Sequence, residues 1–380
     1  MSAFESLRLS RSSGFVLMAT GVYWGGLAGM MPDVKAQAGA SDAEMGAVLL
    51  APAAASVLAM GVAPWASDRF GGRVLPLATL LIAGAFLLYL TAFSVPSLAI
   101  ALFLGGFAVA FADMTANVRI AHVEVERDVH LMNLNHAAYS FAFGITALII
   151  AFLRQDGWAV SDIVPILAGM ALLYAVLGWD SKGPVVGDDE DEVNAPTSRV
   201  WPVVLLAGLV LFCSFVVENA TEAWSALHIE RTLGAPVGEG SFGPALLGFV
   251  MGAGRLSGQA LSRRLGAERL ILSSATLAVV GGIVMAAAQS PGMVHIGVIL
   301  AGLGVAVIVQ STNSIIGRKV RTRLRAWAIS RAWMFGLMGF FVGPAMMGGL
   351  AEVGGLRLSF SAVAVIAAAI IPAILALSRR

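Results

Sequence analysis

Long runs of apolar residues, separated by short polar loops, follow one another along nearly the whole chain. Each run approaches the roughly 20 residues that an α-helix needs to cross the hydrocarbon core of a membrane. Because the runs are continuously apolar, they do not fit the alternating pattern of strands in a membrane β-barrel. The pattern therefore predicts an all-α membrane protein with about twelve spanning helices. The expected spans are residues 14–32, 45–64, 75–94, 97–117, 131–153, 161–178, 202–226, 242–262, 269–288, 293–316, 327–350 and 356–377.

The composition supports the same class of protein. The 380-residue chain is 58% hydrophobic and only 12% charged, which is about half the charged fraction of a typical soluble domain. Most of its surface is therefore expected to contact the lipid bilayer. The net charge of +1 gives no reason to expect a nucleic-acid partner. The N-terminal residues run into a full-length span without a small-residue cleavage site, so we expect the first helix to be retained.

Basic residues are unevenly divided between alternate loops. One set of loops holds only Lys35, Arg154, Arg231 and Arg357 of the 24 basic residues. The other set, together with both termini, holds most of the remainder. Cytoplasmic loops of membrane proteins carry the excess of Lys and Arg. We therefore expect both termini on the cytoplasmic side of a bacterial-type inner membrane.

An acidic segment, GDDEDEVNAP, divides the expected spans into two sets of six. Its composition is typical of a solvated tether. The two sets also resemble each other, because a shift of about 195 residues places Asn117 over Asn313. Paired six-helix repeats are a common transporter architecture. We expect two pseudo-symmetric six-helix bundles, residues 1–178 and 201–380, joined by an acidic cytoplasmic linker at 179–200.

Polar side chains interrupt the fourth and fifth expected spans at similar depth. Asp113 and Asn117 lie one helical turn apart, so they share a face of the fourth span. His136 and Tyr139 share a face of the fifth by the same spacing. Ionisable groups within a membrane are costly unless they face the protein interior or a water-filled cavity. These four side chains are therefore expected to line a shared wet cavity.

Arg255 lies on the cytoplasmic side of the centre of the eighth expected span. We hypothesise that Asp113, His136 and Arg255 form an ionic cluster whose pairing changes when a proton or a solute binds. Burial disfavours the charged form of a carboxyl group and a nearby cation favours it, so such a cluster can exchange protons near neutral pH. The alternative is a permanent salt bridge that holds an inner gate.

Two acids, Glu218 and Glu222, lie one turn apart in the seventh expected span. Acids so placed can carry a proton or bind a cationic group. The alternative for Glu222 is a position at the wet outer end of the helix.

Further polar and aromatic residues lie in the middle of spans. Tyr23 and Trp24 are at the centre of the first span, where they either stack against a ring-shaped solute or pack helices together. Gln310 and Asn313, at helical spacing in the tenth span, either hydrogen-bond a polar solute or join neighbouring helices.

The loop after the second span reads DRFGGR, from Asp68 to Arg73. At this place in a twelve-span chain it resembles the conserved loop of the major facilitator superfamily. The resemblance implies the superfamily's two-bundle fold and a gating role for Asp68, Arg69 and Arg73. The matching stretch of the second half reads GRLSGQ, which implies gating by Arg255. In that stretch Gln259 stands where the superfamily often has Asp.

Spans four and five carry a narrower resemblance. The pattern Asp113-x-x-x-Asn117, followed by NLNH ending at His136 and then by Tyr139, resembles the fucose:proton symporter branch and its uncharacterised bacterial relatives. In that branch an acidic residue at the position of Asp113 helps to bind sugar. The resemblance therefore implies a sugar-binding role for Asp113.

The seventh span begins its polar stretch with ENATEAWS at Glu218, which is similar to the pattern E-G-A-x-x-D-W-S of the same relatives. Ala223 stands at the position of the pattern's Asp. The branch's proton-coupling Asp in the first span is also absent, since Pro32 falls near that place and Asp33 is offset. The similarity adds Asn219 and Trp224 to the expected substrate-binding residues.

The motifs of other functional classes do not occur in the sequence. No GxxxxGK[ST] loop indicates ATP binding. No His, Cys and acidic residues stand at metal-ligand spacing. No pairing of a nucleophile with a base suggests an enzyme. We therefore expect no cofactor and no metal.

These observations together predict a monomeric secondary active transporter, with a small molecule and protons as its partners. The leading hypothesis is proton-coupled symport of a small polar, sugar-like solute by alternating access. The alternatives are a proton-coupled antiporter that exports an amphipathic drug or metabolite and, more remotely, a non-transporting sensor. The expected substrate-binding residues are Tyr23, Trp24, Asp113, Asn117, His136, Tyr139, Glu218, Asn219, Trp224, Gln310 and Asn313. The expected proton-coupling residues are Asp113, His136, Glu218 and Glu222. The expected gating residues are Asp68, Arg69, Arg73 and Arg255.

Overall fold

The fold is given by a computed structural model. It describes residues 8–127, 129, 131–179, 200–321 and 324–379, without the side chains of Val125, Gln259, Ala260, Arg263 and Ala326. The expected acidic linker therefore lies outside the described residues, apart from its first and last positions. Within the described ranges the regular structure is helical and contains no strand.

The helices follow the apolar runs of the sequence closely. They are α1 Arg11–Gly29, α2 Met31–Gln37, α3 Asp42–Val48, α4 Ala51–Phe70, α5 Val74–Leu87, α6 Val95–Arg127, α7 Met132–Gln155, α8 Val160–Leu177, α9 Trp201–Leu227, α10 Phe242–Leu265, α11 Ala267–Ala287, α12 Pro291–Val305, α13 Ile308–Lys319, α14 Arg325–Leu337 and α15 Gly339–Ser378. Short 3₁₀ turns lie at Gly71–Arg73, Leu88–Thr91 and Glu239–Ser241, and one π turn lies at His228–Thr232.

Local chemistry sets several helix boundaries. Ser41 begins α3 with a capping box: its hydroxyl accepts from the backbone N–H of Glu44, whose carboxylate accepts from the backbone of Ser41 in return. Gly71 has a φ of +56° at the turn between α4 and α5. Gly355, with a φ of +74°, breaks the long α15 into two segments. Both positions require a backbone conformation that favours glycine.

The described residues contain eight helical runs that are long and apolar enough to cross a membrane. The number rises to nine if α1 and α2, which bend by 64° at their junction, form one span. Two of these runs, 42–91 and 327–378, contain 50 and 52 residues, well over the roughly 20 of a single crossing. The chain thus has the helices of a multi-pass membrane protein.

Residues 180–199, between α8 and α9, divide the described helices into two sets, which we call helix groups. In the first helix group, α1–α8, the central α1 packs against α5, α6, α7 and α8. In the second helix group, α9–α15, the central α9 packs against α13, α14 and α15. The groups meet where α7 packs on α10 and where α3 packs on α15. Small residues allow both approaches: a Cβ on Gly248 would lie 2.5 Å from the Gly144 nitrogen, and one on Gly46 would lie 2.6 Å from the Pro344 oxygen.

The two ends of the helix bundle differ in charge and in contacts. The basic end carries Arg69, Arg73, Arg264, Arg318 and Lys319, whereas the non-basic end carries Lys35, Arg154, Arg231 and Arg357. Ion pairs between the two helix groups lie at the non-basic end, where Arg154 contacts Glu230 and Arg231 contacts Asp42. At the basic end, the ion pair between Arg318 and Glu268 joins residues of the second helix group only.

Candidate functional site

The Arg255 guanidinium lies at the centre of the candidate site and joins the two helix groups. Arg255 belongs to α10, and its Nη2 donates to Oε1 of Glu218 on α9 at 3.3 Å. Its Nη1 donates to the Ser140 hydroxyl and, at 3.4 Å, to the His136 carbonyl, both on α7. A single cation thus holds a carboxylate of its own group and two neutral acceptors of the other group.

A small pocket of about 20 Å³, enough for about one water molecule, adjoins Arg255. The guanidinium carbon lies 5.8 Å from the centroid of the Tyr139 ring, within the range of a cation–π contact. The Glu222 carboxylate also faces the pocket and has no hydrogen bond or ion pair among the described residues. One part of the wall is therefore acidic and another apolar. The lining residues are Tyr139, Ser140, Phe143, Glu218, Glu222, Leu247, Gly248, Met251 and Arg255.

Asp113, Asn117 and His136 form a hydrogen-bonded chain beside this pocket. Asn117 Nδ2 donates to Asp113 Oδ2 at 2.9 Å. Asn117 Oδ1 lies 3.1 Å from His136 Nε2. An amide oxygen can only accept, so His136 Nε2 must carry the hydrogen. The His136 backbone in turn reaches Arg255 through its carbonyl.

The expected ionic cluster of Asp113, His136 and Arg255 therefore has a different arrangement in the structure. Arg255 pairs with Glu218 rather than directly with Asp113. Asp113 is linked to it through Asn117 and His136.

The aromatic pair of the first span lies in different surroundings. Tyr23 is fully buried within the first helix group, where its hydroxyl lies 2.8 Å from that of Tyr89 and its ring packs on Phe86. Trp24 is half-buried and meets Tyr23 edge-on at 5.4 Å between ring centroids. Of the two interpretations given above, these contacts are those of helix packing. A role for either ring in solute binding stays a prediction.

The polar residues predicted in the second helix group fall into two sets. Asn313 accepts a hydrogen bond from Trp333 Nε1 at 3.1 Å and so joins α13 to α14. In contrast, Oδ1 of Asn219, Nε1 of Trp224 and Oε1 of Gln310 are buried without a hydrogen-bond partner among the described residues. Buried polar atoms of this kind are costly unless they are paired, but none of the three residues lines the pocket beside Arg255. Their role in solute binding stays a prediction.

The predicted gating residues of the first half lie at the surface of the basic end. Asp68, Arg69 and Arg73 are all exposed around the turn between α4 and α5. Their gating role stays a prediction. Gln259, the departure from the superfamily pattern, lies among the residues whose side chains are outside the described part of the structure.

Sequence reasoning missed an ion network at the non-basic end. The Arg154 side chain is fully buried, and its Nε and Nη2 donate to the two carboxylate oxygens of Asp33 at 2.6 and 2.7 Å. Its Nη1 and Nη2 also donate to the Glu230 carboxylate at 2.6 and 2.8 Å, and Nη1 reaches the Ser241 hydroxyl at 2.9 Å. The sequence showed Arg154 only as a charge beside a loop. The available signal was the scarcity of charges at this end.

A second set of charges adjoins this network. Lys35 Nζ lies 3.2 Å from Asp42 Oδ1, and Arg231 of the second helix group contacts the same oxygen. Glu230 and Arg231 occupy the π turn that follows α9, a local geometry that is frequent at functional sites. We call the six residues Asp33, Lys35, Asp42, Arg154, Glu230 and Arg231 the end cluster.

Sequence comparison gives the family. A family model described as the Major Facilitator Superfamily matches residues 14–326 and, in a second match, residues 209–380. The chain belongs to the Major Facilitator Superfamily. The resemblance seen in the loop after the second span is thereby confirmed at the level of the superfamily, whose members are transporters.

Relatives of similar length support this membership. A Yersinia pestis protein named as an uncharacterized MFS-type transporter is 26% identical over 351 residues, which cover 89% of this chain and 87% of the relative. The membrane protein MosC of Rhizobium meliloti is 29% identical over 348 residues, which cover 90% of this chain and 83% of MosC.

Solved structures confirm the fold. A mutant of the nucleoside transporter NupG matches with a TM-score of 0.75 at 12% identity, over 98% of this chain and 99% of NupG. A bacterial homologue of the lysosomal transporter Spinster, inward-facing and occupied, also scores 0.75, at 16% identity over 100% and 98% of the two chains. A D-xylose-proton symporter scores 0.70 at 16% identity, over 99% and 97%. At these identities the likeness concerns the fold alone.

Proposed function

We propose that this superfamily member is a secondary active transporter that imports a small polar, sugar-like solute together with protons across a bacterial inner membrane. It works by alternating access between two six-helix bundles, residues 1–178 and 201–380, with twelve spans and both termini in the cytoplasm. The excess of Lys and Arg at the basic end supports this orientation. The motifs of spans four, five and seven support a sugar-like solute.

The observation that carries the proposal is the position of Arg255 between Glu218 and the acceptors of α7. Hydrogen bonds between ionised partners are roughly twice as strong as neutral ones. When Glu218 is ionised, Arg255 is held by a charged partner of its own helix group. When Glu218 takes up a proton, Arg255 keeps only neutral acceptors, including Ser140 and the His136 carbonyl of the other group. Proton occupancy at Glu218 thereby changes the contact between the bundles.

The pocket beside Arg255 supplies groups for a polar solute. Glu222 offers a carboxylate without a partner among the described residues, and Tyr139 offers an aromatic face. The chain of Asp113, Asn117 and His136 reaches the same region and provides a second proton-accepting group. Sugar hydroxyls hydrogen-bond to carboxylates and amides, so the acidic wall supplies acceptors for such a solute when the pocket widens to admit it.

A second candidate function is export of an amphipathic cation by proton antiport. The wall formed by Phe143, Leu247 and Met251 is apolar, and the unpartnered Glu222 faces the same space. A positively charged amphipathic compound would match both features. The same carboxylates serve import and export, so the ligand decides between the two functions.

The ligand class is testable by the thermal stability of the purified protein. A panel of sugars, organic acids, amino acids and cationic drugs is screened, because a ligand that binds only the folded state raises the melting temperature. Stabilisation by a sugar supports the import function, and stabilisation by amphipathic cations alone overturns it in favour of export.

The proton role is tested with Glu218→Gln in proteoliposomes. The amide keeps the shape of the carboxylate but cannot ionise, so we expect accumulation of the identified ligand driven by a pH gradient to fall by about tenfold or more. Exchange without a gradient should persist. Glu268→Gln, at an exposed ion pair of the basic end, is the control and should accumulate normally. Gradient-driven accumulation at the wild-type rate in Glu218→Gln would exclude Glu218 as a coupling residue.

A further inference from the structure

Arg154 of the end cluster has one carboxylate partner in each helix group. Asp33 lies in its own group and binds Nε and Nη2. Glu230 lies in the other group and binds Nη1 and Nη2. If the groups separate at this end, the guanidinium loses Glu230 but keeps Asp33. A buried cation left without any partner would oppose such a separation strongly.

The other charges of the end cluster show the same arrangement. Glu230 accepts from the backbone N–H groups of Gly238 and Gly240 at 3.0 and 3.2 Å, both within the second helix group. Lys35 binds Asp42 at 3.2 Å and donates to the Ala40 carbonyl at 2.6 Å, both within the first. Arg231 alone would lose its carboxylate partner, and its side chain is already 48% exposed to solvent.

The charges are also balanced within each helix group. Asp33 and Asp42 offset Lys35 and Arg154 in the first, and Glu230 offsets Arg231 in the second. Neither group therefore carries an uncompensated charge from the end cluster after separation. A permanent structural salt bridge has no need of a second set of partners, whereas a contact that forms and breaks repeatedly does.

We propose that the end cluster is a reversible latch in which Arg154 is shared between two carboxylates of opposite effect. The bond to Glu230 favours the state that is closed at the non-basic end. The bond to Asp33 favours the open state, because it holds Arg154 when Glu230 has moved away. Asp33 and Glu230 are thus positioning residues for alternating access, and this role rests on the rocking motion of the proposed function.

If the end cluster is a latch, removing its two carboxylates one at a time should shift the populations of the open and closed states in opposite directions. A purely structural ion pair gives no reason to expect opposite shifts. Glu230→Gln removes the charged partner of the closed state, so the population should shift towards the open state. Asp33→Asn removes the charged partner that remains in the open state and leaves Glu230 as the carboxylate partner of Arg154, beside the neutral acceptors Gly29 and Ser241. The population should therefore shift towards the closed state. Each substitution should change the ratio of the two states by about tenfold.

Double electron–electron resonance measures the distance between spin labels at Ala36→Cys and Val237→Cys, in a Cys213→Ala background. The distance distribution reports the populations of the two states. Both labelled positions are exposed, one on each helix group at the non-basic end. The protein is reconstituted in lipid nanodiscs without added solute. Glu268→Gln is the matched control, since it neutralises a Glu–Arg pair that lies within one helix group, and it should leave the distance distribution unchanged.

Longer distances in Glu230→Gln together with shorter or narrower distances in Asp33→Asn support the latch. A shift of both variants in the same direction, or of neither, overturns it. Size-exclusion profiles identify a variant that fails to fold. In that case the direction of the distance shift in the other variant decides whether the latch is supported or overturned. The readout needs neither solute nor protons, so an error in the proposed substrate or coupling leaves this test intact.

Discussion

At the scale of single residues, the candidate site depends on the shape of the Arg255 side chain. A guanidinium presents several N–H donors in a rigid planar fork, whereas the Lys ammonium is a compact point charge on a flexible stem. Arg255 uses this fork to reach Glu218 with one nitrogen and Ser140 with the other. The two helix groups are therefore connected by geometry as well as by charge.

We expect Arg255→Lys to keep the positive charge but to lose the simultaneous hydrogen bonds to Glu218 and Ser140. The ammonium can satisfy Glu218 or Ser140 but does not span both, so initial uptake rates in proteoliposomes should fall by about tenfold or more. The matched control is Arg331→Lys, since Arg331 lies over the Trp327 ring at 5.7 Å and contacts no carboxylate in the described part of the chain. Equal rates in the two variants would show that the fork is not required.

Helical spacing predicted part of the candidate site. One-turn spacing pairs Asp113 with Asn117 and His136 with Tyr139. In the structure, hydrogen bonds link the first three of these residues. The contact of Arg154 with Asp33 joins residues 121 positions apart. Spacing within one helix carries no information about such a contact, because it depends on how separate helices pack.

At the scale of elements, two pairs of glycines let helices from different groups touch. A Cβ on Gly348 of α15 would lie 2.5 Å from the backbone carbonyl oxygen of Asp42 and 2.7 Å from the Gly46 Cα, both of α3. These distances are too short for any side chain without movement of a backbone. In the proposed alternating-access motion, this contact is expected to break when the non-basic end opens.

Gly348→Ala should therefore destabilise the closed state selectively, by about 1–3 kcal/mol, which is the usual cost of overpacking. The neighbouring Gly349 has open space around its Cα, so Gly349→Ala makes the same gain in helix propensity without the clash. Spin-label distances between positions 36 and 237 should lengthen in the first variant alone. Identical distances in both would mean that the backbones can shift to accept the methyl group.

Element boundaries were predicted best where a helix crosses the membrane without interruption. The expected span 131–153 corresponds to α7, Met132–Gln155, and 202–226 corresponds to α9, Trp201–Leu227. The expected span 293–316 is instead divided into α12 and α13. Ala306 at this break packs closely on α10, since a Cβ on Gly254 would lie 2.5 Å from the Ala306 Cβ. A contact of this kind between helices cannot be read from the hydrophobicity of the segment itself.

At the scale of the whole molecule, the proposed orientation places the non-basic end outside the cell. Ala36 is exposed at that end, and Trp179 is exposed beside Arg11 at the basic end, where the Trp179 carbonyl accepts from Arg11 Nη2 at 3.2 Å. These positions report the two faces of the membrane without touching the candidate site.

In intact bacterial cells, a membrane-impermeant maleimide should label Ala36→Cys and should not label Trp179→Cys, each in a Cys213→Ala background. Both positions should react after the cells are permeabilised, which is the control for accessibility. The reverse labelling pattern would invert the proposed topology, because the uneven distribution of Lys and Arg is its only support.

The balance of charge within the end cluster also bears on membrane voltage. Moving one elementary charge across 100 mV changes the free energy by about 2.3 kcal/mol. Each helix group keeps equal numbers of positive and negative cluster residues when that end opens, so the end cluster itself moves almost no net charge through the field. Any electrical response of the transport cycle should then originate outside the end cluster, from the charged residues of the candidate site, the cargo and its protons.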